Sequence, residues 1–190
     1  MGVDKALLSF RDQTLLARAQ EIATAAAGKA VIVGPRERYA AYGEVVEDLY
    51  PGCGPLGGIH AALSATETEL NLVLSVDMPL MTAGFLRWLL ERAGEAPELI
   101  VVPDALGGQQ PLCAVYRRSL LSLIEQALQN GDYKIGHLFS HAPTRYIAEG
   151  EMRKASFSPE IFRNVNTAEE YASLLQEARL APAKGRVAIG

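Results

Sequence analysis

The chain has 190 residues, of which 49% are hydrophobic, and this is enough for one domain with a sizeable core. Its net charge of −4, without a long basic run or an apolar run of about 18 residues, argues against non-specific nucleic-acid binding and a membrane span. Cys53 and Cys113 have no metal-ligand spacing and the first residues lack the apolar core of a signal peptide, so we expect a cytoplasmic protein with reduced thiols.

Alternating helical and strand-like segments fill the first half of the chain. Thr14 is a suitable N-cap for a helix that Gly28 ends, and the apolar run bounded by Asp77 is typical of a buried parallel strand. The predicted elements are helices over 14–27, 59–65 and 82–93 and strands over 30–33, 45–46, 70–76 and 99–102, the last ended by Pro103.

The second half of the chain is less regular. It predicts strands over 111–116 and 144–147, the latter at a sheet edge, and helices over 119–129 and 168–178. Thr167 with Glu170 has the pattern of a capping box and predicts the start of the last helix, and residues 181–190 are expected to form a flexible tail. The alternation predicts a three-layer α/β fold with a mainly parallel sheet, in which ligands bind beyond the carboxyl ends of the strands.

Two charged residues occupy positions suited to phosphate chemistry. Lys5 follows Gly2 closely and precedes an apolar stretch, so it could neutralise phosphate charge, although most lysines are solvated surface groups. Asp77 directly follows the predicted strand over 70–76, where a carboxylate and substrate phosphates could hold Mg²⁺. A helix-capping or turn aspartate is the alternative interpretation of Asp77.

A glycine-rich segment over 51–58 follows Asp48. Its four glycines and two prolines predict a tight loop with an accessible backbone. The loop opens a helix whose N-terminal amides favour anions, and Asp48 could accept hydrogen bonds from a base or a ribose. An ordinary strand-to-helix connection is the alternative.

Two amide side chains flank one apolar residue just before the last predicted helix. On an extended segment, Asn164 and Asn166 would share one face on either side of Val165 and could bind a polar ligand. A helix-capping turn built on Thr167 and Glu170 is an equally good interpretation.

Four segments taken together resemble the molybdenum cofactor guanylyltransferases, which are MobA-like members of the nucleotidyltransferases with a Rossmann-like fold. They occur in the family's order: Met1-Gly2-x-Asp4-Lys5-Ala6-Leu7-Leu8, Pro51-Gly52-x-Gly54-Pro55-Leu56-x-Gly58-Ile59, Val76-Asp77-Met78-Pro79 and Asn164-Val165-Asn166-Thr167. The resemblance runs from residue 1 to about residue 178. It implies one nucleotidyltransferase domain over 1–180, with a nucleotide-binding part over about 1–103 and an acceptor-binding part over about 104–180.

The reaction implied by this resemblance is the transfer of GMP from GTP to molybdenum-molybdopterin, giving the guanine dinucleotide form and pyrophosphate. The resemblance implies that Lys5 and Asp77 are catalytic and that Asp77 holds Mg²⁺ as cofactor. The implied GTP-binding residues are Lys5, Asp48, Gly54, Pro55, Gly58 and Asp77, and the implied pterin-binding residues are Lys134, Asn164 and Asn166. The implied partners are GTP, molybdenum-molybdopterin, and molybdoenzymes or their chaperones.

The chain departs from the family's pattern in three places. The family's Leu-Ala-Gly-Gly-x-Ser-x-Arg stretch does not precede Met1, so we expect the fold to lack its first, central strand. A monomer should then fold poorly, because unsatisfied buried amides cost about 1–3 kcal/mol each. Val33 or Gly34 stands where a polar nucleotide contact is common, and Lys134 replaces an arginine and loses its bidentate fork.

Three other functions stay open on the sequence alone. One is a cytidylyltransferase for the same pterin, although Asp4-Lys5 and the glycine-rich segment favour the guanylyl type. Another is a sugar-nucleotide or other small-molecule nucleotidyltransferase. The third is a non-catalytic nucleotide- or cofactor-binding protein, which the absent phosphate loop favours; codons for that loop upstream of Met1 would decide against it.

Overall fold

Helices and strands alternate along the computed structural model, which describes residues 4–165, 170, 171, 173 and 176. The first half contains β1 (Ser9–Phe10), β2 (Gln13–Thr14), α1 (Leu15–Ala27), β3 (Ile32–Val33), α2 (Arg36–Tyr39), β4 (Val45–Val46), α3 (Gly54–Ser64), β5 (Leu70–Leu74) and α4 (Ala83–Glu95). The second half contains β6 (Ile100–Ala105), β7 (Gly108–Gln109), β8 (Cys113–Arg117), α5 (Leu121–Gln129), α6 (Ile135–His141), β9 (Thr144–Ala148) and α7 (Glu149–Lys154). Short 3₁₀ turns lie at Lys5–Leu7, Arg118–Leu120 and Pro159–Phe162.

The larger sheet joins five strands. β8 pairs antiparallel with both β5 and β6, and β9 pairs parallel with β6 along the opposite edge. β5, β6 and β9 therefore run in one direction, while β8 lies between β5 and β6 in the other direction and β7 returns beside the end of β6. The predicted α/β fold with a mainly parallel sheet is confirmed, with β8 as an antiparallel insertion.

Side chains of the sheet alternate between two apolar layers. On β6, Val101 packs in a cluster with Phe85 of α4, whereas Val102 packs in a second cluster with Ile59 of α3 and Ile124 of α5. Successive side chains of a strand point to opposite faces, so each face of the sheet buries its own set of helices. This arrangement gives the three layers predicted from the sequence.

The predicted boundaries of two long helices agree closely with the structure. Thr14 caps α1, because its Oγ1 accepts a hydrogen bond from the N–H of Ala17 at 3.1 Å, and Gly28 ends the helix with a φ of 83°. Thr82 caps α4 in the same way. Both helices begin at a hydroxyl side chain because that side chain satisfies an otherwise unpaired amide of the first turn.

The strand predicted over 70–76 differs from the prediction in length, pairing and burial. It covers Leu70–Leu74, pairs antiparallel with β8, and all five residues are half-buried rather than buried. Within the described residues its second edge carries no ladder, since β3 and β4 form a separate two-stranded parallel sheet. A strand paired along one edge keeps more exposed surface than a central strand, which explains the lower burial.

Pro103 lies inside a strand that the sequence predicted it would end. β6 continues to Ala105, and Pro103 O accepts a hydrogen bond from the N–H of Gln110 at 2.9 Å. On this side of β6 the ladder changes partner, from β8 at Ile100 and Val101 to β7 at Asp104 and Ala105. The missing proline N–H therefore falls at a break between two ladders, where proline is tolerated.

Two further points bear on the predictions. No helix among the described residues has the length and apolar character that crossing a membrane would require. The predicted helix over 168–178 falls largely outside the described residues, as do its cap Thr167, the amide Asn166 and the tail 181–190.

Candidate active site

Asp77 lies in the segment that links β5 to α4, beyond the carboxyl end of the strand. Its Oδ1 atom is buried, and no hydrogen-bond donor within the described part of the chain reaches it. The helix-capping interpretation is excluded, because the Oγ1 of Thr82 caps α4 by accepting from the N–H of Phe85 at 3.2 Å. An unpaired buried carboxylate oxygen is costly unless a ligand satisfies it, so Asp77 has an oxygen suited to ligand binding.

The backbone of Asn164 lies close to Asp77, because the next residue, Val165, is hydrogen-bonded to Asp77. The backbone N–H of Val165 donates to the carbonyl oxygen of Asp77 at 2.9 Å, and the Val165 side chain is buried with Phe10 and Leu15. The Asn164 side chain is exposed. Two motifs that are far apart in the sequence thus meet at one end of the sheet.

Lys5 begins a 3₁₀ turn that packs against β3, β4 and the segment that follows β5. The next residue, Ala6, is buried with Ile32 of β3 and Val45 of β4, and Val76 packs against the same cluster. Val76 directly precedes Asp77, so this packing brings the turn that contains Lys5 close to the segment that contains Asp77. The Lys5 residue is half-buried.

Asp4 fixes the position of this 3₁₀ turn. Its Oδ1 accepts from the N–H of Ala6 at 3.0 Å, and its Oδ2 accepts from the O–H of Tyr39 at 2.8 Å and lies 3.4 Å from the guanidinium of Arg38. Burial, and then the hydrogen bond to Asp4, raises the pKa of Tyr39. Asp4 therefore anchors the turn to α2, which explains an aspartate next to Lys5 in structural terms.

The glycine-rich segment is more helical than the sequence predicted. α3 begins at Gly54 rather than at residue 59, with Pro55 in its first turn. Gly52 and Gly54 have φ angles of 85° and 64°, a backbone conformation that residues with a Cβ atom rarely adopt. Proline has no N–H, and an N–H in the first turn of a helix has no partner within the helix, so proline suits this position and the helix can begin inside the segment. Gly54, Pro55 and Gly58 therefore belong to the first turns of a helix, where anions are favoured.

Asp48 packs closely against α3. Its Oδ1 accepts from the N–H of Tyr50 at 2.8 Å, which fixes the orientation of the carboxylate. A Cβ atom on Gly57 would lie 2.8 Å from Asp48 Oδ2 and 2.9 Å from Tyr50 O, closer than real contacts allow. Gly57 is therefore required by this contact, so part of the glycine content of the segment has a packing cause.

Lys134 lies at the start of α6, on a different side of the candidate site. Its backbone N–H donates to Asp132 Oδ1 at 3.3 Å, and the same carboxylate bonds the Nδ1 of His137 at 2.9 Å. The hydrogen bond from His137 is the main reason that the pKa of Asp132 is lowered. α6 packs in the cluster that contains Tyr50 and Cys53, so Lys134 belongs to the glycine-rich side, whereas Asn164 belongs to the Asp77 side.

The residues present are compatible with a Mg²⁺ ion that is coordinated mainly by phosphate oxygens of a substrate. Within the described residues, no three side chains of the His, Cys, Asp or Glu type group together as a metal centre. Mg²⁺ is commonly held by one or two carboxylates together with substrate phosphates, and it prefers oxygen ligands. The unpaired Oδ1 of Asp77 supplies one such oxygen.

Arg18 contacts the segment that carries Asp77, and the sequence interpretation did not single it out. It lies on α1 and donates to backbone carbonyls of the segment that follows Asp77. A signal was present in the sequence, because Leu15, Arg18 and Ile22 have helical spacing and share one face. A charged residue between two buried apolar positions on one helical face indicates a specific partner.

Comparisons with known proteins point to one family. Residues 1–145 match the family described as "MobA-like NTP transferase domain". A probable molybdenum cofactor guanylyltransferase from Peptoclostridium acidaminophilum is 30% identical over 196 aligned residues, covering 100% of this chain and 89% of that protein. A molybdenum cofactor guanylyltransferase from Desulfosudis oleivorans is 28% identical, with 98% of this chain and 91% of that protein covered.

A solved structure gives the same result for the fold. Molybdopterin-guanine dinucleotide biosynthesis protein A from Archaeoglobus fulgidus superposes with a TM-score of 0.78 and 24% identity, covering 94% of this chain and 92% of that one. At this identity the likeness establishes the fold alone.

Proposed function

Because this chain belongs to the family of MobA-like NTP transferase domains and is therefore a nucleotidyltransferase, we propose that it transfers GMP from GTP to molybdenum-molybdopterin. The products are the guanine dinucleotide form of the cofactor and pyrophosphate. The names of the relatives, molybdenum cofactor guanylyltransferases, support the choice of nucleotide and acceptor.

The hydrogen bond from Val165 N–H to the Asp77 carbonyl, at 2.9 Å, supports this proposal most directly. It joins Asp77, whose carboxylate has an unpaired oxygen, to the segment that carries the exposed Asn164, at the end of the sheet where α/β folds bind ligands. A transfer between two substrates requires groups for both of them to meet at one place, and this bond joins the two motifs.

Each predicted site residue has a role in the proposed reaction. Lys5 neutralises phosphate charge, and Asp48 binds the nucleoside. The first turns of α3 bind GTP through Gly54, Pro55 and Gly58, and the acceptor contacts are Lys134, Asn164 and Asn166. Asp77 binds GTP and would hold Mg²⁺, which, when bound, would supply positive charge to the reacting phosphates.

The proposed reaction is a substitution at phosphorus. A terminal phosphate oxygen of the pterin forms a bond to the α-phosphorus of GTP, and the bond from that phosphorus to the bridging oxygen of the β-phosphate breaks. Pyrophosphate leaves with the electron pair of the broken bond. Catalysis of such a step is mainly positioning and charge neutralisation, which a lysine and a carboxylate can support without covalent chemistry.

The test of the function is incubation of the purified protein with GTP, Mg²⁺ and molybdenum-loaded molybdopterin. We expect pyrophosphate release together with the guanine dinucleotide form of the cofactor. Release with CTP but not with GTP would replace guanylyl by cytidylyl transfer. Binding of GTP or of the pterin without release for any nucleoside triphosphate would identify a binding protein instead.

The proposed role of Asp77 predicts the effect of removing its charge. Asp77→Asn keeps the shape of the side chain, so the fold should persist while the transfer rate falls by about 10²–10³-fold. Asp12→Asn, at an exposed turn, is the matched control and should leave the rate unchanged. Equal rates for wild type and Asp77→Asn, measured as pyrophosphate release, would remove Asp77 from the reaction.

A further inference from the structure

Arg18 binds two backbone carbonyls of a single short segment. Its Nε donates to the carbonyl of Pro79 at 2.6 Å, and its Nη2 donates to the carbonyl of Met81 at 3.2 Å. The two carbonyls flank Leu80, and one planar guanidinium spans them. This geometry fixes both the position and the direction of the segment, because the donors of a guanidinium have fixed relative directions.

The segment that Arg18 binds is the one that carries Asp77. At the other end of this segment, the carbonyl oxygen of Asp77 accepts a hydrogen bond from the N–H of Val165 at 2.9 Å. Met78 and Met81 are buried in the core, so their side chains anchor the segment from below. The backbone from Asp77 to Met81 is therefore held from α1, from the Asn164 segment and from the core.

The environment of Arg18 keeps its guanidinium in place. The guanidinium carbon lies 5.8 Å from the centre of the Phe10 ring, within the range of a cation–π contact. Burial, and then the nearby charge of Arg11, lowers the pKa of Arg18. Burying a charged side chain next to another positive charge is unfavourable, and the hydrogen bonds to two carbonyls, together with the nearby charge of Glu21, offset that cost here.

We propose that Arg18 is a positioning residue, which sets the direction of the Asp77 carboxylate by holding the carbonyls of Pro79 and Met81. The inference rests on the proposed function, because it takes Asp77 as the metal-binding carboxylate. Replacing a residue that orients a metal ligand without touching the metal typically weakens metal binding by about 10–100-fold.

The experiment measures metal binding directly, so it does not depend on turnover. Mn²⁺ is titrated into the full chain with GTP present, free Mn²⁺ is measured by electron paramagnetic resonance, and the Mn²⁺ bound in the same titration of GTP without protein is subtracted. The variants are Arg18→Met, which removes the donors, and Arg18→Lys, which keeps the charge and loses the fork. Arg87→Met is the matched control, because Arg87 also donates to a backbone carbonyl, that of Ala25 at 3.1 Å, and is exposed on α4.

We expect Mn²⁺ to bind about tenfold more weakly to Arg18→Met than to wild type. The affinity of Arg18→Lys for Mn²⁺ should lie between these two values, and that of Arg87→Met should equal the wild-type value. Urea unfolding of each variant shows whether it is folded under the conditions of the titration. If Arg18→Met is unfolded, the comparison of Arg18→Lys with wild type decides. A variant that loses stability but binds Mn²⁺ as wild type does would show a purely structural role and overturn the proposal.

The same titration separates this inference from the proposed function. Asp77→Asn must weaken Mn²⁺ binding if the carboxylate holds the ion. An unchanged affinity in Asp77→Asn, or no Mn²⁺ binding by wild type, would overturn both the metal role of Asp77 and the role of Arg18. Normal binding by wild type, weakened in Asp77→Asn and unchanged in both Arg18 variants, would overturn the inference about Arg18 alone.

Discussion

At the scale of single residues, the contact between Gly57 and Asp48 has the clearest energetic consequence. A Cβ on Gly57 would lie 2.8 and 2.9 Å from the two carboxylate oxygens of Asp48 and 2.9 Å from Tyr50 O. Tyr50 O is backbone, so the overlap cannot be relieved by rotating a side chain. The identity of residue 57 is thus set by its neighbours in space.

Gly57→Ala should therefore destabilise the protein. Overpacking of this kind typically costs about 1–3 kcal/mol, which exceeds the gain of about 0.5–1 kcal/mol from replacing a helical glycine by alanine. The free energy of unfolding, measured in urea, tests this expectation.

Gly58→Ala is the matched control in the same helix. A Cβ there would meet only Val33 Cγ1, at an ordinary 3.6 Å, so this variant should be as stable as wild type or slightly more stable. If Gly57→Ala and Gly58→Ala unfold at the same urea concentration, the proposed close approach of Asp48 is wrong.

At the scale of elements, the β6–β7 hairpin is held by a carboxylate from α7. Leu106, at the tip, has a φ of 54°, a left-handed conformation that is unfavourable for a leucine. Its N–H donates to Glu149 Oε1 at 2.9 Å, and Glu149 Oε2 accepts from Arg153 at 2.9 Å. These contacts, the Leu106 N–H first, lower the pKa of Glu149.

This lowered pKa predicts a dependence of stability on pH. A carboxylate with a lower pKa in the folded than in the unfolded state stabilises the fold fully above the unfolded value of about 4.3. The contribution is lost as the pH falls through the folded pKa. Wild type should therefore lose stability below about pH 4 more steeply than Glu149→Gln does, as measured by urea midpoints between pH 7 and pH 3.

The control for this effect is Glu91→Gln, on the exposed face of α4. This variant should keep the acid-side loss that wild type shows. If Glu149→Gln follows the wild-type curve at every pH, the hydrogen bond to Leu106 contributes nothing to the acid response.

At the scale of the whole molecule, an aromatic cluster packs the segment over 157–162 against α4. Phe162 packs edge-on against Phe85 of α4, with ring centres 5.2 Å apart, and Phe157 packs against both Phe85 and Trp88. Phe162 is 2% exposed. Because Asn164 follows two residues later, this cluster also sets where the amide motif meets Asp77.

Phe162→Ala should cost about 3–5 kcal/mol of unfolding free energy, because it removes a buried ring and leaves a cavity. Leu49→Ala serves as the control, since Leu49 is 65% exposed and its replacement should change stability by less than about 0.5 kcal/mol. Equal losses for the two variants, measured in urea, would show that Phe162 does not anchor the segment.

Local sequence patterns determined the class of the fold and predicted which residues are candidates for the site. Helix caps and apolar periodicity act within a few residues, so the boundaries of α1 followed from Thr14 and Gly28, and the helix predicted over 82–93 agrees with α4. The position of Asp77 after an apolar run likewise placed it at the end of a strand. The start of α3 was predicted too late, because a glycine-rich composition indicates a loop even where proline allows a helix.

The tertiary structure alone decided which of these residues touch. The antiparallel insertion of β8, the packing of Asp48 on Gly57 and the bond from Val165 to Asp77 join parts of the chain that no local pattern relates. Arg18 and Pro79 are 61 residues apart, and their contact depends on how α1 docks beside α4. Short-range propensities fix elements, whereas burial of two apolar faces against one sheet fixes their arrangement, and the site forms from that arrangement.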